Sequence, residues 1–366
     1  MKIVNVVGAR PNFMKISPLM QEMRRQPRLQ PVIVHTGQHY DLAMSGAFFE
    51  DLEIPQMDFF LGVGSGTHAE QTAKIMLEFE KVMEKARPDL VMVVGDVNST
   101  LACALVAVKL LVPVAHVEAG LRSFDRTMPE EINRKLTDHL SDYLFTTSED
   151  ANENLKLEGI PDAKIHFVGN VMIDTLRKYE SIARAKKTAG EFDLKPQDYA
   201  VLTLHRPSNV DDPKRFALII EALEEIVRKI PVVFAVHPRS RRRISEFGFG
   251  PRIEGLRNLK VCDPLGYLGF LSLILDSCFV MTDSGGIQEE TTALGIPCLT
   301  LRENTERPVT VILGTNTVVG LDPQRIVERA VSILNGETKA WQIPPLWDGK
   351  ASKRIVKHLL SNSGEA

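Results

Sequence analysis

Short, mostly apolar runs recur through the first half of the chain, at Lys2–Val7, 31–36, Leu90–Val94, 113–117, Tyr143–Thr146 and 165–168, and Leu90–Val94 is apolar at every position. A run apolar at every position, not every second one, predicts a strand covered on both faces, as in a parallel sheet flanked by helices. The intervening segments carry helix-start signals. Thr67-x-x-Glu70 is a capping box, Pro129-Glu130-Glu131 places proline and acids in a first turn, and 99–109 reads as a helix. A helix is predicted over 171–186, followed by a polar stretch at 187–198 that reads as a hinge. The alternation then restarts, with strand-like runs at 199–204, 232–236, 260–262, 278–282 and 297–301 and helices over 213–229 and 288–294. Strand–helix alternation twice over predicts an α/β protein of two Rossmann-like, doubly wound domains, 1–170 and 171–349, facing one another across a cleft. The last helix, about 350–366, could join either by pattern alone.

The length of 366 residues agrees with two domains, since it exceeds what one core usually supports. A net charge of −3 gives no ground for a nucleic-acid partner. The basic run Arg239, Arg241, Arg242 and Arg243 reads as a solvated helix start. Cys103, Cys262, Cys278 and Cys298 are far apart in apolar contexts, with no zinc or disulfide spacing, so they read as reduced core residues of a cytoplasmic protein. The apolar stretch 101–117 is broken by Lys109 and Pro113 and is too short to span a bilayer, so no membrane partner is expected. Residues 1–7 meet Arg10-Pro11 at once and read as a first strand, not a signal peptide. Neither domain has G-x-G-x-x-G after its first strand, so neither a nicotinamide nor another cofactor is expected, and no metal.

The chemistry concentrates at strand ends, where ligand crevices of such sheets lie. The runs ending near residues 94 and 117 lead into Asp96 and Glu118, acid–base candidates on neighbouring strands. Alone, Asp96 also suits a turn or helix cap, and Glu130 and Glu131 suit the dipole of a helix start. Glu118, beside Ala119-Gly120, has no such structural use. Gly8-Ala9-Arg10-Pro11 follows the first strand, and Arg10 and Lys15 could neutralise phosphate or simply be solvated. The second domain offers Asp283-Ser284-Gly285-Gly286 before a helix, a place for a diphosphate or a plain cap, with Glu290 one turn on for ribose hydroxyls. His205 ends that domain's first strand, Arg134 and Arg307 are further cations, and His116 and His139 read as packed or surface histidines.

Taken together, these segments resemble the non-hydrolysing UDP-N-acetylglucosamine 2-epimerases over essentially the whole chain. The resemblance rests on Val7-Gly8-Ala9-Arg10-Pro11, Thr36-Gly37-Gln38-His39-Tyr40, Gly95-Asp96-Val97-Asn98-Ser99-Thr100 and His116-Val117-Glu118-Ala119-Gly120-Leu121-Arg122. It continues through Met128-Pro129-Glu130-Glu131-Ile132-Asn133-Arg134, Leu204-His205-Arg206, Asp283-Ser284-Gly285-Gly286-Ile287-Gln288-Glu289-Glu290 and Asn304-Thr305-Glu306-Arg307-Pro308. It implies the glycosyltransferase-B-like architecture, a C-terminal helix that returns to the first domain, and a homodimer. It also implies that Asp96, Glu118, Glu130 and His205 are catalytic. Arg10, Lys15, Arg134, Phe270, Ser284, Gly285, Gly286, Glu290 and Arg307 are implied to surround the UDP-sugar.

The implied reaction is reversible epimerisation of UDP-N-acetylglucosamine to UDP-N-acetylmannosamine through a 2-acetamidoglucal, feeding surface-polysaccharide synthesis. Asn12 stands where many bacterial members carry Glu, Val309 replaces a Glu, and Gln38-His39-Tyr40-Asp41 replaces a Gln-His-Arg-Gln stretch linked to allosteric activation. Epimerases of UDP-2,3-diacetamido-glucuronic acid share several of the same motifs, and a glycosyltransferase of this architecture is a further alternative.

Overall fold

The computed structural model describes residues 1–38 and 56–362, which form two units: Met1–Lys178 with Pro345–Ala366, and Tyr179–Pro344. The strands of the first are β1 (Lys2–Val7), β2 (Gln30–His35), β3 (Phe59–Phe60), β4 (Leu90–Val94), β5 (Val114–Ala119), β6 (Tyr143–Thr146) and β7 (Ile165–Phe167). They pair in the order β3-β2-β1-β4-β5-β6-β7, all parallel. The run patterns have their physical cause here: β4 and β5 are buried at every position, between helices on both faces. On one face Val4, Val6, Val91 and Val93 pack against Ile75, Phe79 and Val82 of helix His68–Ala86 and Cys103 and Val106 of helix Asn98–Lys109. The Thr67 capping box forms as the spacing predicts, with Thr67 Oγ1 accepting from the Glu70 N–H and Glu70 Oε2 from the Thr67 N–H.

The second unit carries β8 (Ala200–Thr203), β9 (Val232–Ala235), β10 (Leu259–Cys262), β11 (Phe279–Thr282), β12 (Cys298–Thr300) and β13 (Asn316–Val318). These are also parallel, in the order β10-β9-β8-β11-β12-β13. Both sheets reverse their winding between a first strand and a later neighbour, at β1/β4 and at β8/β11. At such switch points the helices leave on opposite faces and a crevice opens beyond the strand ends.

Some expectations need correction. The polar stretch 187–198 lies wholly in the second unit, where Ala189 joins the core under helix Tyr267–Asp276. Of the four edge strands, β3 and β13, two and three residues long, were not legible because neither is marked by a longer apolar run. The basic run lies on helix Pro238–Glu246, where Arg239 and Arg243 pair with Asp211 and Arg241 with Asp263. The four cysteines are free, two buried and two half-buried. Among the described residues, no helix is long and apolar enough to cross a membrane, and no group of His, Cys, Asp and Glu could hold a metal ion.

Helix Ala351–Asn362 belongs to the first unit. Its buried Ile355, Val356 and Leu359 face inward, and the Ala351 and Ser352 N–H groups donate to Asp174 at 3.0 and 2.7 Å. Just ahead of it, the fully buried Trp347 donates from Nε1 to the Thr147 carbonyl at 2.8 Å.

Candidate active site

In the first unit the polar residues gather beyond β1, β4 and β5. Gly95 follows β4 at φ +68°, a turn that lets the chain double back into helix Asn98–Lys109 and leaves Asp96 half-buried in between. Asp96 is not a helix cap. Its carboxylate accepts from Arg134 at 2.5 Å, while its own carbonyl accepts from Asn133 Nδ2 at 2.9 Å. Glu118 occupies a register break in β5 with φ +72°, a left-handed conformation that a non-glycine residue holds at a cost of about 1–3 kcal/mol. That conformation directs its buried carboxylate to the Lys15 ammonium, with which it forms a tight ion pair. Lys15, expected at the nucleotide, is therefore engaged by a catalytic candidate.

The adjacent acids Glu130 and Glu131 divide sharply. Glu131 is buried and accepts from the Ser123 N–H and Oγ–H, the Phe124 N–H and Arg134 at 2.8, 2.9, 3.1 and 2.5 Å. The Glu130 carboxylate, half-buried in the same first turn, has no hydrogen bond or ion pair among the described residues. A carboxylate held by four donors is structural; one presented without partners can exchange protons. Arg134 bridges Glu131 and Asp96, so in this structure it orients a carboxylate instead of standing open to an anion. Arg10 is the first residue of helix Arg10–Arg24, directly after β1, and its side chain lies outside the described residues, as do His39, Tyr40 and Asp41. Asn12 takes the capping work in this turn: Oδ1 accepts from the Gly8 and Ala9 N–H groups and Nδ2 donates to the Val94 carbonyl.

In the second unit, the fully buried Asp283 beyond β11 accepts from the His205 and Arg206 N–H groups and pairs with His205 Nδ1 at 2.8 Å. Burial alone would push its carboxyl up. The His205 charge and the donated hydrogen bonds outweigh it and hold the group below its ordinary value. Asp283 thereby fixes the tautomer of His205, whose side chain remains 38% exposed and can offer Nε2 to a ligand. No reading of residue types singled Asp283 out as functional. Its signal was the strand-end position, which a helix cap shares.

Ser284 precedes helix Gly285–Leu294 without capping it, so the helix N-terminus keeps open donors. A side chain at Gly285 would collide with the Arg307 guanidinium, which lies against this N-terminus. Arg307 pairs with Glu289 at 2.8 Å and Glu306 at 2.6 Å, and Glu306 also holds Arg206 at 3.2 Å and Arg302 at 2.8 Å. Three guanidiniums around two carboxylates beside open helix N–H groups form an excess-positive, largely buried patch suited to a diphosphate. Arg206 and Arg302 were not foreseen there. Gly286 lies in the same first turn. Glu290, one turn further, is buried against the Tyr267 hydroxyl at 3.0 Å; burial raises its pKa to about 7 despite that hydrogen bond, with Glu289 adding to the shift. Phe270 is half-buried on helix Tyr267–Asp276 and packs on the core under Val280 and Ile296.

Known proteins share this fold. The UDP-N-acetylglucosamine 2-epimerase family pattern matches residues 21–360. The chain belongs to that family. A UDP-N-acetylglucosamine 2-epimerase from Methanocaldococcus jannaschii is 44% identical over 98% of this chain and 99% of its own length. The crystal structure of the M. jannaschii UDP-GlcNAc 2-epimerase in complex with UDP-GlcNAc and UDP matches with a TM-score of 0.92 at 44% identity, covering 99% of this chain and 100% of that one. The UDP-2,3-diacetamido-2,3-dideoxy-D-glucuronate 2-epimerase of Pseudomonas aeruginosa is 45% identical over 98% of this chain and 99% of its own length. The epimerase family thus spans both sugars, and the fold is the glycosyltransferase-B-like one expected.

Proposed function

We propose that this protein interconverts UDP-N-acetylglucosamine and UDP-N-acetylmannosamine by inverting C2. The observation within the site that carries the reading is the set of three carboxylates at the first unit's strand ends and helix start, held in unlike ways: Asp96 on Arg134, Glu118 on Lys15, Glu130 unpartnered.

The chemistry asks for such a set. The C2 proton of an N-acetylhexosamine lies beside no carbonyl and is not acidic at neutral pH. When the C1–O bond to UDP breaks, its electron pair leaves on the diphosphate and C1 becomes cation-like. The C2–H pair then forms the C1=C2 bond of 2-acetamidoglucal as a base removes the proton. Return of a proton to the opposite face of C2 and re-addition of UDP at C1 gives the epimer. The reaction needs acid–base groups for both faces and cations for the departing diphosphate. Asp96, Glu118 and Glu130 supply the former. Arg307 and the N-terminus at Ser284, Gly285 and Gly286 supply the latter, with Arg206 and Arg302, which share Glu306 with Arg307, and with Arg10. His205, oriented by Asp283, acts on the leaving oxygen, and Glu290 receives the ribose hydroxyls.

The P. aeruginosa relative favours a second reading, the same inversion on a diacetamido-uronic acid. Chromatography of each nucleotide sugar after incubation with the protein tests the choice: a second peak from UDP-N-acetylglucosamine is expected, and conversion of the diacetamido-uronate alone would replace the first reading with the second.

We also propose a cytoplasmic homodimer. The free cysteines support the compartment. The exposed Leu77, Ile132 and Leu136, on helices that border one apolar groove, support a second copy as the covering partner. Sedimentation at twice the chain mass is expected, and a monomer at micromolar concentration would contradict it.

A further inference from the structure

One buried pair in the first unit has no role in the reaction proposed above, yet it touches both strand ends that carry its carboxylates. His116 on β5 and Asp138 on helix Pro129–Leu140 are fully buried, with His116 Nδ1 2.6 Å from Asp138 Oδ1. His116 Nε2 lies 2.8 Å from the Gly95 carbonyl. Asp138 and the Gly95 carbonyl thus hold the ring at both of its nitrogens. Asp138 accepts with its second oxygen from the Gly120 N–H at 3.1 Å and from Arg122 at 2.7 Å. Arg122 is held in turn by Glu158, at 2.8 and 2.6 Å.

The two ends of this network are the residues that flank the catalytic candidates. Gly95 immediately precedes Asp96, and Gly120 lies two residues beyond Glu118. Both glycines have positive φ, +68° and +80°, so neither turn is held by an ordinary backbone preference. Between them Glu118 holds its own left-handed conformation, which persists only where the surroundings over-determine it. A satisfied polar network in a dry interior is rigid, and a fully paired one supplies that constraint.

We propose that His116 and Asp138 are positioning residues that set the spacing of Asp96 and Glu118 for proton transfer at C2. The inference rests on the epimerase reading. Two amide variants separate the two contacts of the ring. His116→Asn places an N–H where Nδ1 stood and keeps the hydrogen bond to Asp138; His116→Gln places one where Nε2 stood and keeps the hydrogen bond to Gly95. Turnover of UDP-N-acetylglucosamine, KM, UDP affinity by calorimetry and melting temperature are measured for each beside the parent protein.

Loss of the Gly95 contact in His116→Asn lowers kcat roughly 10- to 100-fold, the scale of an ångström-sized misplacement, with UDP affinity within about twofold of the parent. His116→Gln recovers most of that loss. Should His116→Gln not fold, the double variant His116→Gln/Asp138→Asn, which replaces the carboxylate left without its imidazole partner by a neutral amide, is measured in its place. Unchanged kcat in folded variants, or loss of kcat and UDP affinity together in step with melting temperature, would overturn the positioning role. A parent protein that turns over neither nucleotide sugar would overturn the epimerase reading and this inference with it.

Discussion

At the scale of single residues, the informative groups are those whose partners lie far away in sequence. Glu118 was legible as a candidate because a carboxylate at the end of a buried strand has no structural use. Its left-handed backbone and its ion pair with Lys15 were not, since both depend on the register break in β5 and on helix Arg10–Arg24. Asp283 reads from sequence as a helix cap; only the pairing of β8 with β11 brings it to His205. Glu130 and Glu131 are indistinguishable by residue type; the resemblance points to Glu130, and burial and four donors on Glu131 separate the two in the structure. Replacing Glu118 by Gln keeps the size and is expected to lower kcat by roughly two to four powers of ten, beyond the loss of stability that comes from leaving the buried Lys15 ammonium without its charge partner. Turnover within threefold of the parent would remove Glu118 from the acid–base set. Asp283→Asn leaves the His205 ring without its charged partner, and an expected loss of kcat larger than any loss of UDP affinity distinguishes an orienting role from a binding one.

At the scale of elements, long runs were legible and short ones were not. Six of the seven strands of one sheet and five of the six of the other follow from apolar runs, whose burial between helices leaves no polar alternation to misread. β3 and β13 are too short to show any period, and the helix Pro308–Ile312 is a single turn set by packing. The C-terminal helix Ala351–Asn362 shows what pattern omits: its apolar face is evident, but the sheet it serves is chosen by contacts such as Asp174 with the Ala351 and Ser352 N–H groups. Those two hydrogen bonds satisfy helix-end donors, so Asp174→Ala is expected to cost roughly 1–2 kcal/mol, the scale of a lost cap. Urea unfolding reads the cost, and amide exchange in residues 351–356 should rise with it. An unchanged midpoint would show that the apolar face alone holds the helix.

At the scale of the molecule, stability depends on groups that folding keeps neutral. His35, buried between the rings of Phe13 and Phe60 at 5.2 and 5.3 Å, has its pKa lowered by burial from 6.5 to about 4. A folded value below the unfolded one means that its penalty is absent above pH 6.5 and grows as pH falls from 6.5 towards 4. His35→Gln should therefore lose about 2 kcal/mol of the stability difference between pH 7 and pH 4.5 that the parent shows by denaturant titration. Equal pH dependence in parent and variant would contradict the buried neutral imidazole. Asp138 and Asp283 act lower on the scale. Each is held below its ordinary value as ion pairs and hydrogen bonds outweigh burial, so their contribution is full at neutral pH and is lost as pH falls through the depressed folded value.

The central claim is that a proton leaves C2 and another arrives from solvent-exchanged acid–base groups on the opposite face. Proton NMR of UDP-N-acetylglucosamine incubated with the protein in D2O tests it most directly. The account predicts that the manno epimer appears with deuterium at C2 and that recovered substrate gradually loses its own C2 proton signal. Epimer formed with protium retained at C2, or no turnover while UDP still binds, would contradict it.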